Sequence, residues 1–368
     1  MKERLASLDI FRGATVAAMI LVNNPGSWDD DYPALLHSVW DGCTLADLIF
    51  PFFLFIAGVS IPLSRAARIE RGALPSELTR HILRRAAILL GLGLVVTWFT
   101  GYDWHGGFLD HIKDWRLPGV LQRIAIVYAA AALLDLHGTS RGRTLLGALL
   151  LLGYWAAIET APLSIPSQTL AARIDRALFD WGGWGDHLWY LADPPGSWDP
   201  EGLFSTLPAI VSGLLGIAAG RWLQRSLPLT RRLAGLAAAG AALVALGYVW
   251  DLVLPINKAL WTSSYVVLTG GYAALTLAAL GWIADVRGHT RWALPLKIFG
   301  VNAILAYAGD EIVGSVFYRI SLSDAFYQNV VQPRFEPRMA SLVFALCMVA
   351  FWGAVLTVLY RRRIFLKI

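Results

Sequence analysis

Charge is what this sequence has least of. Only 15 % of its 368 residues are Asp, Glu, Lys or Arg, against roughly a quarter in an ordinary soluble domain. With 57 % of the residues hydrophobic, this excludes a soluble two-domain protein, which needs long polar stretches between interrupted apolar runs. Coiled coil, collagen and disorder are excluded on the same ground. Cysteine is scarce as well. Cys43 and Cys347 lie far apart in apolar surroundings, which argues against a disulfide framework and a Cys-based metal site. There is no P-loop, no Gly-x-Ser-x-Gly elbow, no dinucleotide fingerprint, and no His or carboxylate spacing suited to a metal, so no metal is expected. The formal charge of +5 is read first as a report on which loops face the cytoplasm, and no nucleic-acid partner is expected.

What is present is a succession of apolar blocks of bilayer length. Spans are expected at 8–24, 44–64, 80–101, 118–136, 144–160, 203–220, 232–251, 261–284, 296–318 and 339–360. The expected fold is therefore an all-α polytopic membrane protein of about ten transmembrane helices, with residues 1–368 forming one domain in contact with lipid. The first apolar stretch is not read as a cleaved signal peptide. It lacks a small-residue cleavage site and carries Asp9 and Arg12 in its first turns.

Orientation follows from the basic residues. Counted loop by loop with alternating sides, 21 Lys and Arg fall on one side and 8 on the other, while Arg12 and Arg123 fall within spans. Both termini are expected on the cytoplasmic side. The outer loops have a character of their own: the loop at 25–43 holds Asp29, Asp30, Asp31, His37 and Asp41 without one Lys or Arg, and the loop at 161–202 is rich in Trp, Gly, Asp and Pro. Tryptophan faces and carboxylates suit sugars, although an interfacial aromatic belt accounts for most of the 16 tryptophans.

Charges inside spans cost about 2.5–3.5 kcal/mol each at mid-helix on insertion scales, so each asks for a partner or a function. Asp9 and Arg12, three apart, can pair on one helical face. Arg12 is also suited to a phosphorylated cytosolic ligand, because a guanidinium meets phosphate bidentately. Asp47, ten residues after His37, and Arg123, five after Pro118, enter their spans from the same side and can meet. Asp310 and Glu311 are adjacent and point to different faces, at least one of them toward a polar cavity. His37 is the most useful outer-face group, since imidazole takes a proton near neutral pH or carries an acyl group. His81, His137 and His289 fall on the cytoplasmic side, and His105, His111 and His187 lie in outer loops without the nearby Asn and span entrance.

Seven stretches taken together resemble one family. RLASLDIFRG at 4–13, LVNN at 21–24, HSVWDGCTLADLIFPFFLFIAG at 37–58, RLPGVLQRIAIVY at 116–128, DPEGLFSTLPAI at 199–210, INKALWTSSYV at 256–266 and FGVNAILAYAG at 299–309 are similar to the transmembrane heparan-α-glucosaminide N-acetyltransferases. The resemblance implies an enzyme that takes acetyl from acetyl-CoA on the cytosolic side and gives it to an amino sugar on the lumenal or periplasmic side. It places the family's active-site histidine on His37 and the nearby asparagine on Asn23, with Asn24 as a substitute. The chain lacks the lumenal domain and leading span of the lysosomal enzyme, which points to a bacterial inner membrane. Its longer, acidic Asn-to-His loop leaves the acceptor open among glucosamine, N-acetylglucosamine and cell-wall fragments. Family members also suggest a homodimer.

On this reading Arg12 and neighbouring cytoplasmic arginines, with Asp9 and Arg123, hold the coenzyme, and its arm runs between spans one, two, four and nine. His37 acts as general base, Asn23 as oxyanion donor, and Asp47 either orients His37 or pairs with Arg123. Asn24, Asp41, Lys258 and Asn302 are assigned to the acceptor. Direct transfer is preferred over an acetyl-histidine. A sugar transporter and an acyltransferase with another donor or a cell-envelope acceptor are the rival readings.

Overall fold

The structure, a computed structural model, describes residues 5–101, 108–113, 115–180, 187–189 and 196–366. Lys2, Arg4, His105, Lys367 and parts of the loop at 161–202 lie outside the described residues. Those that are described form helices and connecting loops, with one isolated bridge, between Asp41 and Asn257. The helices are α1 Ala6–Asn23, α2 Ile49–Ile69, α3 Pro75–Gly101, α4 Phe108–Lys113, α5 Val120–His137, α6 Ser140–Ile158, α7 Leu170–Phe179, α8 Thr206–Leu223, α9 Leu229–Asp251, α10 Ser263–Gly281, α11 Leu294–Val301, α12 Ala303–Arg319, α13 Leu322–Phe326 and α14 Pro337–Arg361. Helices form here because hydrocarbon offers no water to backbone N–H and C=O groups, and a helix satisfies them within one segment.

Nine of the ten expected spans coincide with one helix each. Among the described residues, eight helices are long and apolar enough to cross a bilayer. The fifth expected span is α6, less apolar because Arg141 and Arg143 sit in its first turn. The ninth is not continuous: it is bent by 68° between α11 and α12. Asn302 occupies the break with a non-helical backbone, φ −116° and ψ 38°. Its amide donates to the Ile364 carbonyl (3.1 Å) and accepts from Leu366 N–H (3.0 Å), so the break is fixed by the chain's last described residues. Asn302 is thereby occupied and is not on the cavity wall described below.

Lipid gives helices little apolar reason to associate, so close approach through small residues sets their positions. A Cβ at Gly58 of α2 would strike the Gly213 carbonyl of α8, and one at Gly216 would strike that of Phe55. Gly240 of α9 and Gly271 of α10 face each other's carbonyl oxygens in the same way, while Gly13 of α1 lies against the Leu296 carbonyl of α11 and Gly300 of α11 against that of Asp9. The start of α1 is held by Asp285, which accepts Ala6 N–H at 2.7 Å, a carboxylate placed at the positive end of the helix. These contacts fix α1, α2 and α11, three of the walls of the site.

Candidate active site

The site grows from two loops that meet. Gly42 N–H donates to the Ile256 carbonyl (2.7 Å), and Asn257 Nδ2 donates to Asp41 Oδ1 (3.1 Å). Gly42 has φ +111°, a conformation that favours glycine. The Asn257 side chain also accepts Leu260 N–H at 2.8 Å, folding the 256–262 segment into a tight turn. This junction carries Lys258 onto the loop that holds His37. Asp41, read from the sequence as an acceptor ligand, has its carboxylate in the junction itself.

Asp47 lies in the short turn Ala46–Leu48 ahead of α2 and is fully buried. Its Oδ2 accepts the backbone N–H groups of Ser38 (3.1 Å) and Thr44 (3.0 Å) and the Ser38 hydroxyl (2.8 Å). Its Oδ1 lies 2.8 Å from His37 Nδ1 and 3.5 Å from Lys258 Nζ. A carboxylate surrounded by donors accepts only, so Nδ1 carries the ring proton and Nε2 keeps its lone pair. The His37 side chain remains 45 % exposed, which leaves Nε2 accessible. Of the two partners the sequence left open to Asp47, the structure chooses His37.

Arg123 is elsewhere. Fully buried, it donates to the Gly202 carbonyl (3.0 Å), Ser205 Oγ (2.5 Å) and Thr206 Oγ1 (3.2 Å), and its guanidinium lies over the Trp261 ring at 5.0 Å. Arg123 ties the 202–206 turn to α5 and, contrary to its assignment to the coenzyme, is not on the cavity wall. The two adjacent asparagines also separate. Asn23 donates to Glu311 (3.3 Å) and lines the cavity; Asn24 donates to Asp310 (2.9 Å) and does not line it.

One cavity of about 460 Å³ joins these groups to a second, cationic end. At the first end it is lined by Asn23, His37, Ala46, Glu201 and Lys258; at the other by Arg12, Arg65, Arg68, His81 and Arg85. Between them run apolar residues of α1, α2, α3, α5 and the α11–α12 break, with Ser60 and Ser64 as polar steps. From Ile49 to Arg68 along α2 is ~28 Å at 1.5 Å per residue, close to the thickness of a bilayer core.

The electrostatics of the two ends differ. At the cationic end Arg12 pairs with Asp9 (3.5 Å) and donates to Ser60 (3.0 Å). Buried Asp135 gathers Arg65 (3.1 Å), Arg221 (2.6 Å) and, more loosely, Arg143 (3.9 Å). One carboxylate thus organises three guanidinium groups, leaving an excess of positive charge. At the His37 end, Glu201 is held by Arg116 (2.5 Å), which also grips Asp199 through two bonds of 2.7 and 2.8 Å. Burial raises the Glu201 pKa, but Arg116, Arg123 and Lys258 outweigh it and hold the carboxyl below its ordinary value. Lys258 is lowered by burial, with Asp47 and Glu201 opposing. Burial and the nearby Asp47 push the Cys43 thiol up to about 12, so it stays protonated and is no rival nucleophile.

Sequence reasoning missed Glu201 and Asp135. Glu201 stands inside the DPEGLF stretch that carried part of the resemblance. Asp135 lies within the expected span 118–136 and belonged among the intramembrane charges. Arg65, Arg68 and Arg85 fall among the basic residues expected on the cytoplasmic side, and nothing in the sequence singled them out from the others as cavity residues.

A family model described as heparan-alpha-glucosaminide N-acetyltransferase, catalytic, matches residues 4–250. The heparan-alpha-glucosaminide N-acetyltransferase of Homo sapiens is 30 % identical over 424 aligned residues, covering 100 % of this chain and 60 % of that protein. The Mus musculus protein of the same name is 30 % identical over 423, covering 100 % of this chain and 61 % of its own length. The chain thus spans about 60 % of the length of these curated relatives.

Proposed function

The chain belongs to the heparan-α-glucosaminide N-acetyltransferase family, and from that premise we propose that it moves acetyl from acetyl-CoA, entering at the arginine end, to the amino group of a hexosamine at the His37 end. The observation that carries this reading is the single cavity running from the arginine cluster to the His37–Asp47 pair. Its shape suits the donor. The coenzyme's phosphates cannot enter hydrocarbon, while its pantetheine arm is long, thin and uncharged. Arg12, Arg65, Arg68 and Arg85 line that end and receive the phosphates, and the apolar bore admits the arm. The 21-to-8 distribution of basic residues supports the arginine end as the cytosolic one.

At the far end, His37 Nε2 removes a proton from the acceptor amine as it attacks the thioester, and returns it to the departing sulfur. Asp47 fixes the tautomer that makes this possible. Asn23, with one amide hydrogen directed to Glu311, has a second to offer the developing oxyanion. Direct transfer needs one displacement and no acyl-imidazole exposed to water.

The test is acetyl transfer from radiolabelled acetyl-CoA by the purified chain against a panel of amino sugars and N-acetylated sugars. Label is expected in glucosamine-type acceptors. No turnover with any acceptor, no coenzyme A binding, and ion-gradient-driven sugar uptake into vesicles would replace this reading with a transporter.

A further inference from the structure

Resting on the acetyltransferase reading, we propose that Lys258 is a catalytic residue, its ammonium stabilising the negative charge that develops on the acetyl carbonyl oxygen. Lys258 Nζ is 2.9 Å from His37 Nδ1 and 3.1 Å from Nε2. A group nearly equidistant from both ring nitrogens cannot lie in the ring plane, because it would overlap the carbon between them. It lies over the face of the imidazole. The in-plane bond of Nδ1 goes to Asp47 (2.8 Å), and the in-plane lone pair of Nε2 is left open.

An acceptor nitrogen aligned with that lone pair brings the carbon it attacks within reach of the same ammonium. Lys258 is also the only Lys or Arg at the His37 end among the cavity-lining residues; the lining arginines belong to the other end. Asp47 at 3.5 Å and Glu201 on the shared wall are anionic neighbours that favour the charged lysine. The 256–262 turn, pinned by Asn257 to Asp41 and Leu260, holds the lysine in place, as preorganised oxyanion stabilisation requires.

The step balances without any further reactant. The neutral acceptor amine forms a C–N bond to the carbonyl carbon, the carbonyl π pair moves to oxygen, and Nε2 takes the N–H proton. When the carbonyl reforms, the C–S bond breaks with its electron pair on sulfur, which receives that proton from His37. Lys258 remains protonated throughout and supplies only charge and an N–H donor.

The experiment compares wild type, Lys258→Met, Lys258→Arg and Lys258→Cys before and after aminoethylation with bromoethylamine, in the full-length protein with acetyl-CoA and saturating glucosamine. Bromoethylamine-treated wild type is the control for Cys43 and Cys347. Lys258→Met and unmodified Lys258→Cys are expected to lose about 10²–10³-fold in kcat, the scale of one oxyanion donor, with wild-type acetyl-CoA binding. Aminoethylation, which rebuilds an ammonium at nearly the same reach, is expected to restore much of the loss, and Lys258→Arg to retain more than Met. A merely structural lysine would not give recovery from a restored charge in an already folded protein. Wild-type kcat in Lys258→Met overturns the proposal, as does a Cys variant that binds acetyl-CoA normally but is not rescued. If Lys258→Met melts below wild type, the Arg variant and the aminoethylated Cys variant decide: inactivity in both, with acetyl-CoA bound, overturns it. No transfer by wild type overturns the acetyltransferase reading instead, and this role with it.

Discussion

Replacing His37 by alanine is expected to lower kcat for acetyl transfer by about 10²–10⁴-fold, the range for a positioned acid–base group, and to leave acetyl-CoA binding at its wild-type level. The two parts of this result come from opposite ends of one cavity. His37 lies at the Asn23–Lys258 end, and the arginines proposed to receive the coenzyme's phosphates lie across most of a bilayer core. His37 is also half-exposed in a loop, so its truncation opens no cavity in the helix packing, and the thermal midpoint should hardly move. Kinetics and coenzyme binding on the same sample check both parts. Loss of activity and coenzyme binding together would place His37 in binding rather than proton transfer.

Asp47→Asn is expected to lower kcat by about 10⁴-fold, the effect of the corresponding change in Ser-His-Asp triads, with little change in KM. An asparagine can keep its carbonyl oxygen toward the Ser38 and Thr44 donors that now converge on Oδ2. Its NH₂ then faces His37 Nδ1, which must accept rather than donate. The ring proton moves to Nε2, and the lone pair the acceptor needs is gone. Asp47→Ala should be worse in a second way: the Ser38 and Thr44 donors lose their partner, and an unsatisfied buried polar group costs about 1–3 kcal/mol. The comparison of kcat in Asn with the melting temperature of Ala separates the two roles. Equal kcat in wild type and Asp47→Asn would mean that the tautomer of His37 does not matter.

The membrane architecture was legible because hydrocarbon demands unbroken apolar segments of set length, a demand that each stretch of chain meets alone. The break at Asn302 was not, since its cause lies 62 and 64 residues away in the Ile364 and Leu366 backbone. The His37–Asp47 pair was accessible because the two stand only ten residues apart. Lys258 was named as an acceptor ligand, but its seat on the imidazole depends on two loops more than 200 residues apart. Arg123 illustrates the opposite difficulty: a buried arginine shows that a partner exists without saying which, and here the partners are a carbonyl and two hydroxyls rather than Asp47. The arginines at the cationic end were ambiguous because the same residues set orientation and line the cavity. Asp135 carried a signal in its place within an expected span, but its partners Arg65 and Arg221 come from α2 and α8 and could not be read locally.

The central claim is that the cavity lets a donor on one face of the membrane acetylate an acceptor on the other. It is tested most directly with oriented proteoliposomes that enclose glucosamine, the arginine end facing outward, with radiolabelled acetyl-CoA outside and His37→Ala vesicles in parallel. The account predicts labelled N-acetylglucosamine inside intact wild-type vesicles, none in the mutant, and no free acetyl-CoA in the lumen. Label appearing only when donor and acceptor share one compartment would contradict it.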